Sequence, residues 1–247
     1  MENSFLKDAI DRIVELAKPY TIKTDDGRRY CTTYLREVKP EVELPTRYSV
    51  DTLAALVKLI RTEGIDRSPR LYVRVDSARR VMVDTTYTHK EYAEFSRLPL
   101  YEAVSDVPDI TVNESISQER AIVELQSLYA ITEDRDYLLS LLSRIDVNQG
   151  VSSVDNGISQ EVSVKTGAVL KEQQTVQPIV HLQPYRTFLE VEQPASDFLL
   201  RLNKEGHPAL YEADGGAWKL EAKRNIAAYL GEKLADLVER GSVVVMI

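Results

Sequence analysis

The sequence predicts an α+β fold, with a helix-rich N-terminal half carrying two β-hairpins, then an antiparallel or mixed sheet with a late helix and a terminal strand. Three observations predict it. Apolar residues recur at three- and four-residue steps in several segments before residue 146, as amphipathic helices require. Alternating, β-favouring runs dominate the C-terminal part. Between the two, "DVNQGVSSVDNGIS" is rich in Gly, Ser, Asn and Asp and marks an internal boundary near residues 148–158. With 247 residues, 43% of them hydrophobic, the chain can bury a sizeable core. The pattern divides it into an N-terminal helix with an extended β arm, residues 1–48, and a main α+β domain, residues 49–247.

Phe5, Leu6, Ala9, Ile10, Ile13, Val14 and Ala17 share one face of a docking helix that ends before Pro19. "TIKTDDGRRYCTTYLREV" turns at Asp26–Gly27, a dipeptide that supplies positive φ, and forms a hairpin or extended arm. In "SVDTLAALVKLIRTEG", Leu53, Leu56, Val57 and Ile60 make a helical stripe, with Ser49 as N-cap and Gly64 as stop. Leu71, Val73 and Val75, then Val81, Val83 and Thr85, alternate about a turn at Asp76 to Arg79 and give a second hairpin. From residue 88 to 114, Pro99 and Pro108 interrupt any period, which predicts an irregular crossing segment where "HKEYAEF" can form one short helix. Ser115 with Gln118 resembles a capping box ahead of Ile122, Leu125, Leu128 and Tyr129, and Thr132 caps a second helix through Leu138, Leu141, Leu142 and Ile145.

Beyond the boundary, Val162 and Val164, then Ile179, Val180 and Leu182, then Phe198, Leu200 and Leu202 head the strands. "TGAVLKEQQTVQP" and "EVEQPAS" lie between them and suit edges or turns. Leu210 to Ala213 and Trp218 to Lys223 make a last hairpin, with Trp218, Leu220 and Ala222 on one face. Ile226, Ala227, Leu230, Leu234 and Leu237 form the late helix, Gly241 closes it, and "VVVMI" reads as a buried strand.

The formal charge of −8 and pI ≈ 5.1 argue against a nucleic-acid partner, since a phosphate backbone would meet net repulsion. Cys31 is the sole cysteine, which excludes an internal disulfide and a cysteine-based zinc cluster. "MENSFLKDAIDRIVELAK" carries charges throughout and is no signal peptide, and no stretch reaches the roughly 18 apolar residues of a membrane span. These features predict a cytoplasmic protein with no membrane partner.

"LYEADGGAWKLEAK" is the stretch that most invites a chemical reading. An anion cradle needs glycines running from a strand into a helix N-terminus. Here a second alternating run follows, so Asp214-Gly215-Gly216 reads as a hairpin turn. His89, His181 and His207 are dispersed; His181, on a strand with Glu190, Glu192 and Asp197 not far behind, could at best take part in a metal site. Glu212 and Glu221 would face each other across the last hairpin as partners for lysines. No nucleophile elbow or Gly-rich phosphate motif occurs, so no catalytic residue and no cofactor is expected. Two arginine pairs, Arg28–Arg29 and Arg79–Arg80, are the candidates for holding an anion. Tyr30, Tyr34 and Tyr48, on or beside the arm, are the interface candidates, because tyrosine buries area while keeping a wet hydroxyl.

The order of segments resembles the YfdQ-like family of phage and prophage proteins. The likeness lies in "LPTRYSVDTLAALV", "VDNGISQEVSVKTGAV" and "FLLRLNKEGHPALYEADGGAWKLEAKRNIAAYL", and spans about residues 40–247. It implies a phage-encoded accessory protein in the host cytoplasm, and no catalytic residues come with it. The leading expectation is therefore a non-enzymatic protein that forms a homo-oligomer, shell-like assemblies included, or binds a host protein. Two alternatives stand beside it: a module that sequesters a small anionic signalling nucleotide, and a metal-dependent hydrolase.

Overall fold

The computed structural model describes residues 2–17, 21–31, 36–37, 46–86, 88–90, 93–145, 154–155, 160–166 and 170–247. In chain order, α1 (Glu2–Ala17), β1 (Thr21–Lys23), β2 (Arg29–Cys31) and β3 (Arg36–Glu37) come first. They are followed by β4 (Tyr48–Val50), α2 (Leu53–Leu59), a π-helical turn (Ile60–Gly64), α3 (Ile65–Arg67), β5 (Leu71–Ser77) and β6 (Arg80–Thr85). Next are β7 (Thr88–Lys90), β8 (Ala93–Ser96), β9 (Pro99–Val104), α4 (Gln118–Leu128) and α5 (Glu133–Arg144). The remainder is β10 (Val154–Asp155), β11 (Gln160–Thr166), β12 (Leu170–Val176), β13 (Ile179–Leu182), β14 (Ser196–Leu202), β15 (Pro208–Glu212), α6 (Ala217–Lys233), α7 (Ala235–Glu239) and β16 (Val243–Met246). The fold is α+β.

The chain divides into two units. The first comprises Met1–Leu44 and Tyr87–Ser96. It holds α1, the three-stranded antiparallel sheet β1-β2-β3 and the β7–β8 hairpin. The β1–β2 turn is built as its residues demand: Gly27 adopts φ 88°, and the Thr24 hydroxyl donates to the Asp26 carboxylate, whose pKa it lowers. The described residues of "HKEYAEF" are not helical: His89 and Lys90 lie in β7 and Ala93 to Phe95 in β8, which pair antiparallel.

The second unit comprises Pro45–Thr86 and Arg97–Ile247 and contains two cores. The first core lies on one face of a mixed sheet of order β16-β5-β6-β9-β4, in which β16 and β4 run parallel to their neighbours. Period-two alternation turns Leu71, Val73, Val75, Val81 and Val83 to that face, where Leu53, Leu56 and Ile60 of the α2 segment, Ile226 and Leu230 of α6 and Leu234 just after it cover them. α2 is capped by Thr52, not Ser49, which lies in β4. Gly64 does not stop the helix but passes under the sheet: a Cβ there would lie 3.1 Å from Leu71 Cδ1 and 3.2 Å from Tyr101 Cε2. Pro99 opens β9, a position where its missing N–H costs little.

The second core packs α4 and α5 on the antiparallel sheet β13-β14-β15, with Leu125, Tyr129, Leu138 and Leu141 against Val180, Leu182, Phe198 and Leu200. Thr132 caps α5 as expected; α4 is capped by Ser117, while Ser115 bridges to Ala209 and the Gln118 side chain donates to the Leu142 carbonyl. The segment read as a connection after Val164 contains β12, which pairs with β11 over its full length. The largest departure is at the end of β15, where Trp218 to Lys223 are helical and belong to α6.

Candidate functional site

The Asp214–Gly216 junction runs from a strand through two glycines into a 17-residue helix, the geometry that an anion cradle uses. Gly215 at φ 62° and Gly216 at φ 82° make the turn, which a side-chain-bearing residue adopts with strain. The helix donors are nonetheless spent within the chain. The Asp214 carboxylate accepts from the N–H of Gly216 at 2.9 Å and of Trp218 at 3.1 Å, and its carbonyl accepts from Ala217 at 3.2 Å. The anion at this helix N-terminus is the protein's own Asp214.

Behind it lies a charge centre with no sequence signature. Arg186, 2% exposed, donates to Glu212 at 3.1 Å, to the Pro194 carbonyl at 3.4 Å and to the Ser196 hydroxyl, and stacks 3.9 Å from the Trp218 ring centroid. Ser196 in turn donates to Asp214 at 2.9 Å. Burial pulls the Arg186 pKa down, opposed by Glu212 and Asp214. Burial pushes Asp214 up, but the Gly216 N–H, the Ser196 hydroxyl, the Trp218 N–H and Arg186 together hold it below the usual carboxylate range. This centre joins the two cores: the Thr187 hydroxyl donates to the Ala78 carbonyl, Arg79 Nε donates to the Arg186 carbonyl at 3.2 Å, and Phe188 enters the first core. Most of its polar groups are engaged in holding the fold, while Arg186 Nε and Trp218 Nε1 are buried without a hydrogen-bond partner.

The other sequence candidates are similarly committed or dispersed. Arg79 donates to Asp109 at 2.6 Å and Arg80 to Glu102 at 2.6 Å. Arg28 pairs with Asp26 at 3.3 Å, and Arg29 is exposed on β2 in the other unit. His181 Nδ1 lies 2.8 Å from Asp197 across β13 and β14. Glu190 instead accepts from the Leu53 and Ala54 N–H groups at the start of α2, and the Glu192 backbone carbonyl accepts from Asn225. Among the described residues no three His, Cys, Asp or Glu side chains group to hold a metal. Glu221 lies on α6 beside Arg224 and does not face Glu212. Tyr48 is 64% exposed on β4, Tyr30 and Cys31 are half-buried on β2, and Tyr34 lies outside the described residues. The cavity among Leu125, Tyr129, Leu138, Leu142 and Leu200 holds ≈ 20 Å³, room for about one water.

Among the described residues, the largest group of exposed apolar side chains on one element lies on α1. On α1, Leu6 is 61%, Ile10 52%, Ile13 65%, Val14 51% and Leu16 70% exposed, and every residue from Leu6 to Ala17 is solvent-facing. The only ion pair described on this helix, Arg12 to Glu15 at 2.7 Å, is internal and lies away from the apolar face. No family model, curated protein or solved structure matches the chain. Among the described residues no helix is long and apolar enough to cross a membrane. Exposed Leu, Ile and Val side chains gathered on one helix form an apolar patch of the kind found at interaction surfaces. This face was legible in the sequence from its three- and four-residue steps; the charge centre was not, because its members come from a loop, a strand and a helix start.

Proposed function

We propose that the protein is non-enzymatic and acts by self-association through its N-terminal helix. The observation that carries this reading is the uncovered apolar face of α1. A 16-residue helix is barely beyond the length at which isolated helices are marginal in water, so it needs a packing partner to persist. Burying the five large side chains would stabilise by about 5–9 kcal/mol per helix, taking about 1.5–3 kcal/mol for a fully exposed one. Association costs about 4–15 kcal/mol, so the face is large enough to contribute decisively and small enough to need more than one such contact. The commitment of Arg186, Asp214, Glu190 and Arg79 to structural partners further favours assembly over chemistry. Set beside the resemblance to YfdQ-like phage proteins, this makes an assembling phage accessory protein the function best supported. Light scattering coupled to size exclusion tests it: a discrete assembly of the 28.0 kDa chain supports the reading, and a monodisperse monomer overturns it.

A further inference from the structure

We infer that α1 packs against the α1 helices of at least two further copies of this chain, forming an intermolecular bundle of three or more helices. This rests on the self-association reading and adds the occupant and the minimum number of chains. Leu6, Ile10, Ile13 and Ala17 follow one another at steps of four, three and four, so they occupy successive d, a, d and a positions of a heptad seam. Ile10 at an a position with Ile13 at a d position is the combination that favours more than two strands. The flanks of the seam agree. Ala9 and Leu16 fall at g and Val14 at e, positions that carry charge in a two-stranded coil and apolar contact where each helix meets two neighbours. Asp8, Asp11, Arg12 and Glu15 fall at b, c and f, on the solvent side of such a bundle, and Lys7 alone of the described side chains puts a charge at an e or g position.

Area points the same way. A Val, Leu or Ile side chain offers about 60–120 Å² of apolar surface, so five of them, about three-fifths exposed, supply about 180–360 Å² per helix. Two helices would together bury about 360–720 Å², short of the ~1,000 Å² expected of a specific two-body interface, while a three-helix bundle would bury about 540–1,080 Å² in all, divided over three contacts.

The test uses the full chain and its mass in solution. The wild-type protein and Asp8→Ser are expected at three or more times the 28.0 kDa chain mass, whereas Ile13→Leu, which puts Leu at d beside Ile at a, is expected to shift towards the dimer. Ile13→Asp is expected to fall at least threefold in mass, to the monomer, while keeping the near-ultraviolet signal of Trp218, which reports the second unit. A wild-type dimer, or an assembly whose mass Ile13→Asp leaves unchanged, overturns the bundle and leaves self-association standing. A wild-type monomer overturns both.

Discussion

Arg186 keeps a guanidinium at 2% exposure because Glu212, Ser196, a carbonyl and an indole face surround it. Arg186→Met would leave Glu212 beside apolar surface and open the link between the cores; a loss of about 3–5 kcal/mol in denaturant-induced unfolding is expected. Asp214 works at shorter range, accepting from the Gly216 and Trp218 N–H groups at the start of α6. Asp214→Ala should cost about 1–2 kcal/mol at neutral pH by the same measurement. The pH dependence has a definite sign. The folded pKa of Asp214 is lowered, so its contribution is complete above the unfolded value of about 3.9 and is lost as pH falls through the folded value. Wild-type stability should therefore drop more steeply below about pH 4 than that of Asp214→Asn, measured by unfolding across that range. The residues of this centre could not be foreseen, since a buried Arg, a strand-end Glu and a turn Asp each look like solvated charges in the sequence.

At the scale of elements, most helices and strands announced themselves, and the exceptions have a common cause. Trp218, Leu220 and Ala222 alternate, and that short window favoured a strand. The wider series Trp218, Ala222, Ile226, Leu230 and Leu234 keeps four-residue spacing, and Leu220 at 46% exposure shows which period the fold obeys. The β7–β8 hairpin was missed for the same reason in reverse, because its runs are too short for either period to assert itself. Caps moved by two or three residues, to Thr52 and Ser117, since several Ser and Thr residues precede each helix and only one meets the helix N–H groups. Glycines separate the close contacts from the merely open places. Gly64→Ala should destabilise by about 1–3 kcal/mol because its Cβ would press on Leu71 and Tyr101. Gly231→Ala, on α6 with nothing within 4 Å, should stabilise by about 0.5–1 kcal/mol through helix propensity. Thermal unfolding of the two variants side by side tests both signs.

For the whole molecule, an assembling α1 ties stability to protein concentration. The melting temperature of the wild-type chain should rise on concentration, as mass action requires of an oligomer, while that of Ile13→Asp stays constant; calorimetry over a hundredfold range of concentration decides it. Fold class and the N-terminal amphipathic helix could be read from the sequence, but the way the mixed sheet closes could not, because no local pattern names a strand's partner. Arg70 and Gly241, 171 residues apart, meet where β16 joins β5, with Arg70 Nε donating to the Gly241 carbonyl at 2.9 Å. That distance along the chain is a matter of time as well as shape. Pairing so remote must wait for most of the second unit to be in place, so refolding should be slow, in the millisecond-to-second regime of nonlocal topologies. Throughout that wait β5 offers a bare hydrogen-bonding edge, and the conditions chosen for refolding will decide whether its own β16 or a strand from another chain reaches it first.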